Sequence, residues 1–150
     1  MPYARCNVLV HIVFSTHERR PLITPDIASD LHAYLGGIVA HMKGSALAIN
    51  GALDHVHILA RMPPTHGVSE LIRVLKANSC KWIHERRPNH RTFAWQSGYG
   101  AFSVSESNVS AVRNYVNRQA EHHRKKDFRE EFLAFLRRNK IQVDEKFLWN

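Results

Sequence analysis

Apolar side chains dominate from Asn7 to Ser15, where Val, Ile, Leu and Phe predict a buried strand. A basic loop, Thr16 to Pro21, follows it. Thr24 before Pro25 is an N-cap with proline at the first helical position, and it opens a helix to about His41. Leu31, Leu35, Ile38 and Met42 recur along it at helical spacing, and Gly36-Gly37 marks close packing. Ala46 to Asn50 and His55 to Arg61 are two short strands around Gly51, a hairpin, and Pro63-Pro64 ends the second. From Val68 to Arg87 one helical face carries Leu71, Ile72, Leu75, Ser79 and Ile83, while Lys76, Lys81, Arg86 and Arg87 lie largely elsewhere. Ala94 to Val104 is a further strand, broken around Gly98 and Gly100. Ser107 or Asn108 caps a helix to about Glu121, with the stripe Val109, Val112, Val116 and Ala120. A last helix covers about Phe128 to Asn139, and Ile141 to Asn150 is a tail.

The order strand, helix, strand, strand, helix, strand, then added helices, predicts an α+β protein. Its sheet is antiparallel and ferredoxin-like or RRM-like, with helices on one face and C-terminal helices beyond. Such sheets host many functions, so the fold alone decides nothing. At 150 residues the chain is most simply one domain, residues 1–150. No apolar run approaches the roughly 18 residues of a membrane span, and the N-terminus lacks a signal peptide. Two cysteines, Cys6 and Cys80, cannot form a metal-binding quartet, and ordinary buried thiols in a reduced cytoplasmic setting are expected.

Charge adds a partner class. The formal net charge is +8, and residues 76–150 hold 15 of the 21 Lys and Arg against 8 acidic residues. A polyanion is the expected partner, although charge does not separate DNA, RNA and an acidic membrane surface.

Two short pieces carry candidate chemistry. In His55-Val56-His57 the strand's alternation puts both imidazoles on one face, and Asp54 can orient one of them. Tyr115 and Gln119 lie one helical turn apart, about 80–120° from the centre of their helix's apolar stripe, at the edge of its buried face. Each piece alone is ordinary. Together they can supply two nitrogen ligands, an amide oxygen and a phenolic nucleophile, provided the helix packs over the strand. A tyrosine that attacks a phosphodiester keeps the bond's energy in a phosphotyrosine link, so a later hydroxyl can rejoin the strand. Its ordinary pKa near 10 calls for a nearby cation. His122 and His123 point about 100° apart and, with Arg124, Lys125 and Lys126, form a solvated basic segment. There is no glycine-rich phosphate loop and no carboxylate cluster of the two-metal kind.

The chain resembles the single-tyrosine HUH transposases of the insertion-sequence-200 type. The resemblance is carried by Asp54 to Leu59, Leu75 to Glu85, Trp95 to Ser105, Tyr115 to Gln119, Glu121 to Lys125, Phe128 to Leu136 and Asp144 to Trp149. It implies Tyr115 as nucleophile and His55, His57 and Gln119 as metal ligands. It further implies Mg²⁺ or Mn²⁺ as cofactor, single-stranded DNA with hairpin ends as partner, a 5′-phosphotyrosine intermediate and a homodimer. Imidazole ligands alone would suit Zn²⁺, Fe²⁺ or Ni²⁺ better than Mg²⁺, so substrate phosphate and water must supply oxygens, and Mn²⁺ fits the nitrogens better. The basic second half would hold DNA, with Arg73, Lys76, Lys81, Arg118, Arg124 and Lys125 as candidate contacts. Trp95, Tyr99 and Phe102 are candidates for base stacking or for core packing. Two other readings share these residues. One is a domesticated relative that processes repeated chromosomal hairpins, the other a catalytically idle nucleic-acid-binding module.

Overall fold

A computed structural model describes residues 5–119 and 127–142. Among them the chain forms β1 (Leu9–Ser15), α1 (Pro25–His41), β2 (Ser45–Gly51), β3 (His55–Arg61), α2 (Val68–Arg86), β4 (Gly100–Val104), α3 (Val109–Asn117) and α4 (Phe128–Arg138). The four strands make one sheet in the order β2-β3-β1-β4, antiparallel at every pair. This is the α+β arrangement expected from the element order.

Both faces of the sheet are covered, so β1 is buried at all seven positions. On one face Val10, Ile12 and Phe14 of β1 and Val56, Ile58 and Ala60 of β3 pack against α1 and α2. Leu31, Leu35 and Ile38 of α1 and Leu71, Ile72, Leu75 and Ile83 of α2 fill that layer, as their spacing predicts. The opposite face carries His11, Val13 and Ser15 beside His55, His57 and Leu59, in a register that pairs Val13 with His57 and Ser15 with His55. Here α3 rests Val116 on Ala48 and Leu59. α4 rests Phe128, Phe132 and Leu136 on Val13 and Phe102.

Two glycines set this face. A Cβ at Gly51 would lie 2.1 Å from the His55 carbonyl oxygen, so the hairpin that delivers His55 needs a residue without one. A Cβ at Gly100 would lie 2.7 Å from the Phe132 ring, which rests on bare backbone there. Cap chemistry differs from helix to helix. Asp127 caps α4, its carboxylate accepting from the Glu130 amide at 2.8 Å. Thr24 stands at the start of α1 but makes no side-chain cap; its hydroxyl turns to the Asp26 carboxylate instead.

α3 breaks at Arg118, and the end expected near Glu121 lies outside the described residues. It ends at Asn117, whose carbonyl accepts from the Asn50 side chain at 3.2 Å, and Arg118 leaves helical geometry. Cys6 is exposed and Cys80 half-buried, so neither is the fully buried thiol expected from composition. Ala120, Glu121, His122, His123, Arg124, Lys125 and Lys126 lie outside the described residues, as does Asp144 to Trp149. No helix among the described residues is long and apolar enough to cross a membrane.

Candidate functional site

The two pieces singled out in the sequence meet within one chain, on the α3/α4 face. His55 and His57 project from β3 and are fully buried, and Gln119 is buried just beyond the end of α3. Each imidazole is held through its Nδ1. His55 Nδ1 lies 2.8 Å from the Asp54 carboxylate, and His57 Nδ1 lies 2.8 Å from His11 Nε2. Such contacts fix ring orientation and leave each Nε2 aimed at a common point. His55 Nε2 is 3.2 Å from the Gln119 amide oxygen. The Gln119 amide nitrogen donates to the Tyr115 carbonyl at 3.3 Å, which sets the side chain's orientation.

The fourth member comes from α4. Glu131, 4% exposed, places Oε1 2.8 Å from His57 Nε2 and 3.9 Å from His55 Nε2. Its carboxylate also accepts from the Tyr115 hydroxyl. His55, His57 and Glu131 thus offer ligand atoms within 4.8 Å of one another. The Tyr115 ring stands edge-on to His57 with centroids 5.7 Å apart, and Phe128 stacks on His55 at 3.9 Å.

Electrostatics follow from this crowding. Burial raises the Glu131 carboxyl, but the His57 hydrogen bond and charge and the Tyr115 hydrogen bond overcome it and hold it at about 2. Burial, then the hydrogen bond and charge of Glu131, push the Tyr115 phenol well above its ordinary range; the Gln119 hydrogen bond and the Arg138 charge oppose them. Burial and the charge of His57 lower His11 to about 3, so His11 is a neutral imidazole at pH 7.

These groups fit a divalent cation. Asp54 beside His55 Nδ1 leaves His55 Nε2 as the ring nitrogen that faces the Gln119 amide oxygen. The His11–His57 pair has two tautomers, and the one in which His57 donates from Nδ1 presents a lone pair beside Glu131. Two imidazole nitrogens, an amide oxygen and a carboxylate brought together in this way are donors of the kind that hold a divalent cation. His55, His57, Gln119 and Glu131 are the residues able to hold it.

Residues nominated from the sequence for contact with DNA are scattered. Arg73, Lys81 and Arg118 are exposed. Arg73 and Lys76 line a cavity of about 520 Å³ between α2 and the 94–99 segment, with Trp95, Gln96 and Tyr99. Lys76 turns inward: its Nζ donates to the carbonyls of Gln96 and Gly98 at 2.8 and 2.6 Å, and burial lowers it to about 8. Phe102 is buried against α4 and has no face open to a base. Trp95 packs edge-on against Phe14 and donates to Ser79 at 2.9 Å, whereas Tyr99 is 40% exposed.

His11 and Glu131 escaped the sequence reading. His11 left a faint trace as the one polar side chain within an apolar run. Glu131 left a clearer one: it takes the second slot of the α4 stripe Phe128, Glu131, Phe132, Phe135, where an apolar residue belongs.

Comparison with known proteins defines the class. The transposase for insertion sequence element IS200 of Salmonella typhimurium (strain LT2) is 25% identical over 127 residues, covering 81% of this chain and 82% of that protein. The ISDra2 transposase TnpA of Deinococcus radiodurans is 21% identical over 114 residues, 73% of this chain and 81% of that one. A structure of the REP-associated tyrosine transposase bound to a REP hairpin shares the fold, with TM-score 0.56 and 15% identity over 82% of this chain and 72% of that one. A crystal structure from D. radiodurans R1 does so with TM-score 0.60 and 21% identity, over 78% and 94% of the two chains. The class is that of the DNA transposases. Within it, the chain belongs to the IS200-like transposase family, which it matches over residues 4–119.

Proposed function

We propose that the protein is a metal-dependent transposase that cleaves and rejoins single-stranded DNA at hairpin-marked ends, working as one domain and as a homodimer in the cytoplasm. The observation that carries this reading is the hydroxyl of Tyr115 hydrogen-bonded to Glu131, beside two buried imidazoles whose Nε2 atoms converge. His55, His57 and Gln119 would hold Mg²⁺ or Mn²⁺, which would supply positive charge at the scissile phosphate.

The chain's own residues do the rest. Tyr115 attacks phosphorus through its phenolic oxygen and becomes esterified to the 5′-phosphate, while the 3′ oxygen leaves and takes up a proton. Rejoining reverses these bonds with a free 3′-hydroxyl. Asp54 and His11 keep the imidazoles in register, and the Phe128 ring over His55 excludes water. A cavity of about 350 Å³ opens beside Tyr115, lined by His11, Asn108 and Arg138, and gives a strand a way in to the tyrosine. Exposed Arg73, Lys81 and Arg118 supply phosphate contacts outside the centre, and the charges of Arg124 and Lys125 add to the attraction for DNA.

A second reading, a domesticated enzyme that processes repeated hairpins, draws on the fold shared with the hairpin-bound REP-associated transposase. It uses the same chemistry. Incubation with single-stranded hairpin DNA and Mn²⁺ should give a covalent adduct that survives denaturing electrophoresis. Tyr115→Phe should abolish it, and an adduct that persists in that variant removes Tyr115 as nucleophile.

A further inference from the structure

We infer that Arg138 is a further catalytic residue, whose guanidinium holds the scissile phosphate against Tyr115 in the cavity beside that tyrosine. This role rests on the strand-cleaving reading above and concerns the phosphate, not the cation.

The cavity lies where two helices meet. α3 contributes Asn108, Val112 and Tyr115, which share one face over two turns, and the end of α4 contributes Phe135 and Arg138. His11 adds a wall from β1. At about 350 Å³ the space has the size of a small-ligand pocket, enough for a phosphodiester and its sugar.

Arg138 is exposed, and among the described residues it makes no ion pair. Its guanidinium lies over the Phe135 ring, 5.5 Å from the centroid, and Phe135 meets the Tyr115 ring nearly at right angles with centroids 5.6 Å apart. A guanidinium resting on an aromatic face keeps its N–H edge available. Five donors in a planar fork match two oxygens of one phosphate.

Tyr115 needs such a group. Burial and Glu131 disfavour its phenolate, whereas the Arg138 charge favours it. As the Tyr115 oxygen bonds to phosphorus and the bond to the 3′ oxygen breaks, the phenolic proton ends on that 3′ oxygen. Negative charge gathers meanwhile on the non-bridging oxygens. Arg138 neither gives nor takes a proton and offsets that charge throughout. An arginine in the last turn of a helix also complements the helix dipole. Arg137 does this equally, but it projects about 100° away and does not line the cavity. It serves as the control.

Two measurements test the role. Adduct formation on single-stranded hairpin DNA with Mn²⁺ is timed at saturating DNA, beside a gel-shift titration. Arg138→Gln should slow the adduct about a hundredfold with hairpin affinity near that of wild type, while Arg137→Gln should leave both unchanged. An undiminished rate in Arg138→Gln, or an equal loss in Arg137→Gln, overturns the proposal. Separately, inorganic phosphate is titrated into the metal-free protein and followed by nuclear magnetic resonance at the arginine Nε–H groups. The Arg138 signal should shift to saturation and the Arg137 signal should not; equal, unsaturable shifts of both overturn the proposal without reference to cleavage. If wild type forms no adduct while its Arg138 signal still saturates, the strand-cleaving reading fails and Arg138 is a phosphate contact without a catalytic role.

Discussion

The two faces of this sheet are built from the same strands and do opposite work. Val56, Ile58 and Ala60 alternate along β3 with His55, His57 and Leu59, so a step of one residue crosses from core to chemistry. The face toward α1 and α2 is one continuous apolar cluster. The face toward α3 and α4 breaks into two small apolar clusters with ionisable groups between them. A fold can carry buried His, Gln and Glu beside a half-buried Tyr because the opposite face of the same strands secures the sheet.

Adjacent residues give the sharpest way to break this comparison. His57→Ala should reduce DNA cleavage at least about a thousandfold and leave hairpin binding intact, measured by adduct formation beside a gel-shift titration. Lost binding in a folded variant would make the histidine a DNA contact. Ile58→Ala, one residue on and fully buried, should do the reverse. It should cost about 2–5 kcal/mol in a denaturant melt, with cleavage per folded molecule preserved. A cleavage defect in Ile58→Ala beyond the unfolded fraction would show that the faces are not separable.

Smaller effects refine the same division. Glu131 is held at about 2 against an ordinary 4.5, so the unfolded chain binds more protons across that window. Its contribution to stability is complete above about pH 4.5 and is lost as pH falls through 2, at most about 3 kcal/mol. Metal-free Glu131→Gln should therefore flatten the acid side of the melting profile, and an unaltered slope would contradict this assignment. Smallest of all, Arg73→Gln, Lys81→Gln and Arg118→Gln should each lower the salt slope of hairpin binding by about one. A slope that stays put in all three would place the phosphate contacts elsewhere.

Much of the larger core is legible in the sequence, because helix periods place Leu31, Leu71 and Leu75 and apolar runs place Ile12 and Ile58 without knowledge of their partners. The histidine pair and the Tyr115/Gln119 pair are legible for the same reason, each being a spacing within one element. Glu131 is not. Its meaning depends on α4 crossing β3, a contact between residues 74 positions apart that no local period encodes. His11 is hidden in another way. Its strand is apolar on both faces, so alternation there does not show which side is chemical, and only the pairing of β1 with β3 reveals it. Lys76 misleads in the opposite sense. A lysine off the apolar stripe reads as a solvent-facing contact, whereas its ammonium group holds the carbonyls of Gln96 and Gly98.

The placement of Glu131 on the last described helix also bears on synthesis. The fully buried part of the large core is drawn from residues 10–93, and His11, His55 and His57 leave the ribosome among them. Glu131 emerges later, and until α4 docks the chain cannot assemble His55, His57 and Glu131 into one group. A chain ending before Asp127 would lack Glu131 and also the Phe128, Phe132 and Leu136 side chains that cover Val13 and Phe102, so the last helix completes the chemical face and seals it in one step.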